Sequence, residues 1–250
     1  MPTCLIRLCG LMQAWGVHTP YEAHNDTLAR PTKSGVIGLV CNALGYDSRH
    51  NIDNLASLHF AVRADRPGHL ESDDQTAGDG DFPLDILTAA RNPQLAEHPD
   101  RFRYAAPREI DPTTGASWKR NTRKTVMGNK TYIVDGSFLA GLTGPAPLID
   151  SIHQALAQPA RLPYLGRRCC PPSRPLAHGT THHETDWPDH VPLLPNATTH
   201  HPITWQESPN PSAAALPEQP PTTYHRRNHH NLPMTSRTTA PPAAPQEADS

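Results

Sequence analysis

The stretch Arg30-Pro31-Thr32-Lys33-Ser34-Gly35-Val36-Ile37-Gly38-Leu39-Val40-Cys41-Asn42-Ala43-Leu44-Gly45 carries the clearest helix signal in the chain. Thr32 and Ser34 follow Pro31 as candidate N-caps, whose side-chain oxygens accept from the orphan amides of a first turn. Val36, Ile37, Val40, Ala43 and Leu44 recur at three- and four-residue spacing, giving one apolar face, and Gly45 suits the left-handed position just past a helix end. Gly35 and Gly38 each lower helix propensity by up to about 1 kcal/mol relative to Ala, so a close approach of another backbone would explain their presence.

Upstream of this helix, Thr3–Cys9 (TCLIRLC) is a short apolar run ending at Gly10 and reads as a buried first strand. A loop containing Gly16 and Pro20 joins the two. Downstream, Leu58–Ala64 (LHFAVRA) alternates as a second strand, with Phe60 and Val62 facing opposite to Ala61 and Arg63. From Asp65 to about Lys130 the periodicity fails, which reads as a long insertion. Regularity returns at Thr131–Leu142 (TYIVDGSFLAGL), a strand, and at 147–157, a helix sharing Leu148, Ile152, Ala155 and Leu156 on one face before Pro159. Strand, helix, strand, insertion, strand, helix is an α+β order compatible with a ferredoxin-like core, with the final strand drawn from the following segment.

Composition divides the chain. Of 29 prolines, 11 lie in residues 1–158 and 18 in the shorter stretch 159–250, so the folded domain is expected at the front. Past about His178 the sequence turns Pro/Thr/His-rich, and residues 179–250 are expected to be a partly disordered tail. Net charge is −2, yet residues 101–174 carry 12 Lys/Arg against 4 Asp/Glu, a net of +8, while residues 178–250 carry 3 against 7, a net of −4. A basic middle is therefore masked by acidic surroundings. Five cysteines without a CxxC pair, and no charged-then-apolar leader, suggest reduced thiols in the cytoplasm. No apolar run approaches the roughly 18–20 residues that cross a bilayer, so no membrane partner is expected.

Two segments could carry chemistry. Trp118-Lys119-Arg120-Asn121-Thr122-Arg123-Lys124 sets four cations behind an aromatic; such a run can neutralise phosphates and stack a base, or can simply be a solvated loop. Tyr164-Leu165-Gly166-Arg167-Arg168-Cys169-Cys170-Pro171 offers free backbone amides and two forked donors for phosphate, or is a rigid proline-bracketed turn. Vicinal Cys169 and Cys170 lack a second thiol pair, and nine of the 16 histidines lie beyond residue 177, where no rigid frame is expected to orient ligands, so neither metal nor cofactor is expected. The chain holds no GxGxxG, Walker, HExxH or GxSxG pattern, and no catalytic residues are assigned.

Three segments together resemble one family: Leu11-Met12-Gln13-Ala14-Trp15-Gly16, Arg30 to Leu39, and Tyr164 to Arg168 with Cys170-Pro171. In this order and spacing they are similar to the CasD family of type I-E CRISPR Cascade subunits, over roughly residues 1–178 with a faint continuation at 218–227. The resemblance implies a ferredoxin-like, RRM-related RNA-binding domain over 1–178 with an inserted arm at 83–130. It implies a non-catalytic antiviral-defence subunit that binds the 5′ handle of the crRNA, beside the Cascade backbone subunit and the large subunit, and reaches target DNA only indirectly. The RNA-binding candidates on this reading are Gln13, Trp15, Arg30, Lys33, Ser34, Arg108, Trp118, Lys119, Arg120, Arg123, Lys124, Arg167 and Arg168, with Lys33 and Ser34 at a helix N-terminus favouring phosphate. The arm's start, Asp85-Ile86-Leu87-Thr88, departs from the family pattern.

An alternative reading is a metal-independent endoribonuclease that processes CRISPR precursor RNA, for which His18, Tyr21, His24 and Lys33 could supply a base and an acid around a 2′-OH. A DNA-binding regulator is disfavoured, because the best helix is apolar and glycine-bearing rather than rich in Arg or Asn.

Overall fold

The computed structural model describes residues 1–16, 24–25, 27–77, 126–210, 212–223 and 230–242. The chain divides into two compact units, Met1–Ser72 with Thr131–Ser250, and Asp73–Lys130. It is a mixed α/β protein with an antiparallel sheet. Its strands are β1 (Thr3–Gln13), β2 (His24–Asn25), β3 (His59–Arg66), β4 (His69–Ala77), β5 (Val126–Thr143), β6 (Ala177–Thr181), β7 (Ile203–Glu207), β8 (Ala215–Gln219) and β9 (His230–Thr238). The described helices are α1 (Lys33–Ala43), α2 (Asp53–Ala56), α3 (Ala146–Ala157) and α4 (Trp187–His190). The sheet runs in the order β6-β1-β5-β3-β7-β9-β8, with β2 and β4 paired to β5 off this path. Of the second unit, the described residues are 73–77 and 126–130, where Asn129 donates to Asp74 at 2.8 Å.

The helix read at residues 30–45 forms as α1. Thr32 is its N-cap, accepting from the Gly35 amide, and Gly45 lies just past its end with φ of 79°. The crowding at Gly35 comes from a side chain, not from another backbone: a Cβ there would lie 2.7 Å from Cε3 of the Trp15 indole. The period-2 alternation of the strands gives the sheet two apolar faces. Cys4, Ile6 and Leu8 of β1, Phe60 and Val62 of β3, and Phe138, Ala140 and Leu142 of β5 join α1 and α3 in the larger core. Leu5, Cys9, Ala61 and Leu139 face the other way, against Trp187, Val191 and Leu194. Gly141 admits that second layer, since a Cβ on it would meet the Trp187 indole nitrogen at 2.4 Å.

The segment read as a poorly ordered tail needs correction where it is described. Strand β7 pairs with β3 from Ala61↔Gln206 to Ala64↔Ile203, and β9 pairs with β7. Leu232 and Met234 enter the larger core. Prolines do not prevent this because they sit largely between the short strands, where no ladder amide is required. Residues 243–250 lie outside the described part.

Buried ion pairs tie this C-terminal region to the front of the chain. Arg63 and Asp65, each fully buried, pair at 2.6 Å (Nε to Oδ1) and 3.0 Å (Nη2 to Oδ2). The remaining Arg63 donors reach the carbonyls of Pro188, Val191 and Pro192 at 2.7–2.8 Å, and Asp65 accepts from the Leu194 amide at 2.8 Å. Arg30 forks onto Glu218 of β8 at 2.9 and 2.5 Å and lies 5.7 Å from the ring centre of Trp205. Lys33 pairs with Glu207 of β7 at 2.8 Å, and the same carboxylate oxygen accepts from the Phe60 amide. Burial holds the Lys33 amine below its ordinary value near 10.5, and the Glu207 carboxylate opposes that shift.

Removing one partner of a buried pair leaves the other charge uncompensated. Asp65→Ala is therefore expected to cost about 3–5 kcal/mol in urea unfolding, and Arg63→Met at least as much, because it orphans the buried Asp65 carboxylate together with the carbonyls of Pro188, Val191 and Pro192. The double variant Arg63→Met/Asp65→Leu, which leaves no buried charge, should be less damaging than either. Glu207→Gln removes the group that raises the Lys33 pKa, so that pKa falls further. The burial penalty on Lys33 is full below its folded pKa and is relieved between that pKa and 10.5, where the unfolded chain binds more protons. The stability deficit of Glu207→Gln is accordingly expected to shrink as pH rises toward 10.5, and Lys33→Met should abolish that dependence; denaturation midpoints across alkaline pH measure it.

Candidate nucleic-acid interface

The turn at 164–170 is built by its glycine. Gly166 has φ of 84°, a left-handed conformation, and a Cβ on it would lie 1.6 Å from the Ala14 carbonyl oxygen, so only glycine fits. The Ala14 amide donates to the Leu165 carbonyl at 3.0 Å, the Leu165 amide to the Cys170 carbonyl at 2.7 Å, and the Cys170 amide to the Arg167 carbonyl at 2.9 Å. Buried Leu165 and Cys170 root the loop in the larger core. The turn is thus clasped to the end of β1, with its arginines at the tip.

At that tip Arg168 is exposed and Arg167 half-buried. The Arg167 guanidinium lies 4.6 Å from the ring centre of Tyr132 and donates to the Thr131 carbonyl at 3.2 Å. This fixes one guanidinium plane while its neighbour stays in solvent, an arrangement suited to phosphate or to a stacked base. Burial pushes the Cys170 thiol up to about 12, with Cys169 beside it adding to the shift, so this sulfur is no thiolate near neutrality. Burial also raises the Tyr132 phenol, which therefore stays a hydrogen-bond donor.

Beside the turn, α1 and the 161–166 segment enclose a cleft of about 410 Å³ whose lining includes Trp15, Ser34, Asn42, Tyr46, Arg161 and Tyr164. Arg161 donates to the carbonyls of Gly45 and Tyr46 at 2.8 and 2.6 Å, and Asn42 donates to the Leu162 carbonyl. The wall is thus hydrogen-bonded to the helix end it faces.

The sequence-derived candidates separate into three groups. Gln13, Trp15, Arg30 and Lys33, expected from the sequence to contact RNA, are buried in the chain and engaged with its own groups. Gln13 donates to the carbonyls of Leu8 and Gly136 and accepts from the Trp15 indole at 3.0 Å, while Trp15 packs under α1; Arg30 and Lys33 are held by Glu218 and Glu207. Of the four, Trp15 lines the cleft. Ser34, Arg167 and Arg168 reach its rim or the turn. Arg108, Trp118, Lys119, Arg120, Arg123 and Lys124 lie outside the described residues, as do His18 and Tyr21. The sequence reading missed Tyr132, Arg161, Trp205, Glu207 and Glu218. The alternation of Ile203–Glu207 (ITWQE) was the available strand signal for two of them.

Residues 3–234 match the family model described as CRISPR-associated protein (Cas_Cas5). The CRISPR system Cascade subunit CasD of Escherichia coli (strain K12) is 31% identical over 185 residues, 70% of each chain. Among solved structures, one titled "CRISPR RNA-guided surveillance complex" aligns with a TM-score of 0.72 and 26% identity over 97% of this chain and 93% of that one. Another, titled "Crystal structure of Cas protein", aligns with a TM-score of 0.67 and 25% identity over 96% and 95%. With a family match spanning nearly the whole fold and a Cascade subunit among its relatives, this chain belongs to the Cas5 family of CRISPR-associated proteins.

Proposed function

We propose that this chain is a non-catalytic subunit of a type I-E Cascade surveillance complex, that it binds the 5′ handle of the crRNA, and that it works in the cytoplasm beside the backbone and large subunits. The observation that carries the reading is the Gly166 turn, which is locked to β1 and presents Arg168 in solvent next to a guanidinium fixed on Tyr132. Kinship with CasD supports the complex, and likeness to the structure titled "CRISPR RNA-guided surveillance complex" supports the RNA. The order β6-β1-β5-β3, with α1 between β1 and β3 and α3 between β5 and β6 along the chain, supports a ferredoxin-like core beneath the turn. No described helix is long and apolar enough to cross a membrane.

The endoribonuclease reading loses one of its candidate groups. Lys33 is buried and paired to Glu207, so its amine is unavailable to a 2′-OH. A handle-binding subunit needs no such proton transfer; its affinity comes from phosphate neutralisation and base stacking, and it falls with salt.

Arg168→Ala is expected to weaken binding of handle RNA without altering its sequence preference, and to lower the slope of log affinity against log salt by about 1. Arg167→Ala should do the same and also perturb Tyr132 fluorescence. Filter binding across a salt series measures both. Metal-free incubation with labelled repeat RNA should leave it intact; single-site cleavage would overturn the non-catalytic reading, and an unchanged salt slope in Arg168→Ala would remove the turn from the interface.

A further inference from the structure

On the connection between β6 and α4, His183, Asp186 and His190 follow one another at i, i+3 and i+7, the spacing of a single helical face, and residues 184–186 turn directly into α4. Their ligand atoms lie within 4.8 Å of one another. The two imidazoles stack with centroids 4.2 Å apart and planes 12° from parallel, and His190 Nε2 is 3.2 Å from Asp186 Oδ2. We propose that His183, Asp186 and His190 form a binding site for a divalent first-row transition ion of the zinc type, held by two imidazole nitrogens and one carboxylate oxygen.

The donor set selects this class. Imidazole suits zinc, cobalt, nickel and copper, whereas magnesium and calcium prefer an all-oxygen shell. Ligands of a tetrahedral zinc sit about 2.0–2.2 Å from the ion and hence about 3.3 Å from one another, so these exposed side chains close the set by turning the two imidazoles out of their stack until their in-plane lone pairs converge. Water completes the fourth position.

What distinguishes this cluster from scattered surface histidines is the rigidity of the backbone that carries it. The carbonyl of Glu184 accepts from Thr3 and Thr143, that of His183 accepts from Thr3, and the His183 amide donates to Thr181. Immediately after Asp186, the fully buried Trp187 is seated over Gly141 and lies 5.7 Å, ring centre to guanidinium, from Arg63. The last ligand, His190, precedes Val191, whose carbonyl Arg63 binds. All three ligands therefore project from a segment fixed to β1, β5 and β3, the frame that the sequence reading found lacking. The ion would staple the connection after β6 to α4 and stabilise the second layer of the sheet.

The test uses the full chain freed of metal by chelation. One equivalent of cobalt(II) is expected to give visible d–d absorption that zinc(II) displaces and magnesium does not, and one equivalent of zinc is expected to raise the thermal midpoint. In His183→Ala/His190→Ala the affinity should fall at least tenfold and the thermal shift should vanish. Asp186→Asn, a milder change, should weaken binding while keeping the metal-free melting profile. Substituting His200/His201 or His229/His230 by alanine should leave the strong equivalent intact. The proposal is overturned if the parent shows no saturable equivalent, if the His183/His190 variant binds it as tightly as the parent, if binding follows another histidine pair, or if magnesium displaces cobalt equally well.

Discussion

The guanidinium of Arg63 is the constraint on which the two-layered sheet depends. An arginine carries five N–H donors and keeps its charge when buried, so a fold that hides it must satisfy every donor. Here two go to Asp65 and the others to three carbonyls of the 188–192 segment. That requirement fixes the path of the chain after α4, brings Trp187 onto Gly141, and seals the second apolar face with Val191 and Leu194. Asp65 then reaches on to the Leu194 and Thr198 amides through its side chain and carbonyl, which extends the clasp to the approach of β7.

The same logic governs the other side of the sheet. Arg30 and Lys33 flank the N-terminus of α1, and in the sequence their position before an apolar helix looks like a phosphate site. In the fold their charges face Glu218 and Glu207 on strands β8 and β7. The basic residues at the helix start thus attach a distant part of the chain, while contact with solvent passes to the Gly166 turn and the mouth of the cleft.

How much of this was legible in the sequence follows from the range of each signal. Periodicity and capping are local, and they gave α1 with its Thr32 cap, the alternation of Phe60, Ala61, Val62 and Arg63, and the strand and helix over residues 131–157. Burial of a charge is not local. Nothing near Arg30 or Lys33 announces acidic partners more than 170 residues away, so those cations read as exposed. The C-terminal strands were missed for a different reason: each is five to nine residues long and framed by prolines, and its apolar pattern emerges only once β3 supplies a neighbour. The turn at 164–170 stood out because Gly166 is bracketed by prolines and followed by two arginines, but its anchoring to Ala14 required the pairing of distant segments.

The clasp on Arg63 also sets a timetable for synthesis. Its most distant carbonyl partner, Pro192, lies 129 residues further along the chain. At translation rates of about 5–20 residues per second, roughly 6–26 s separate the emergence of the guanidinium from that of its last acceptor. Strand β1 similarly waits for Thr143 to meet Thr3. Such long-range closures raise contact order and slow folding. The nascent front half therefore passes through a period in which its central arginine is hydrated and one face of the sheet is bare, and the native pairing can only be completed when the last third of the chain has left the ribosome.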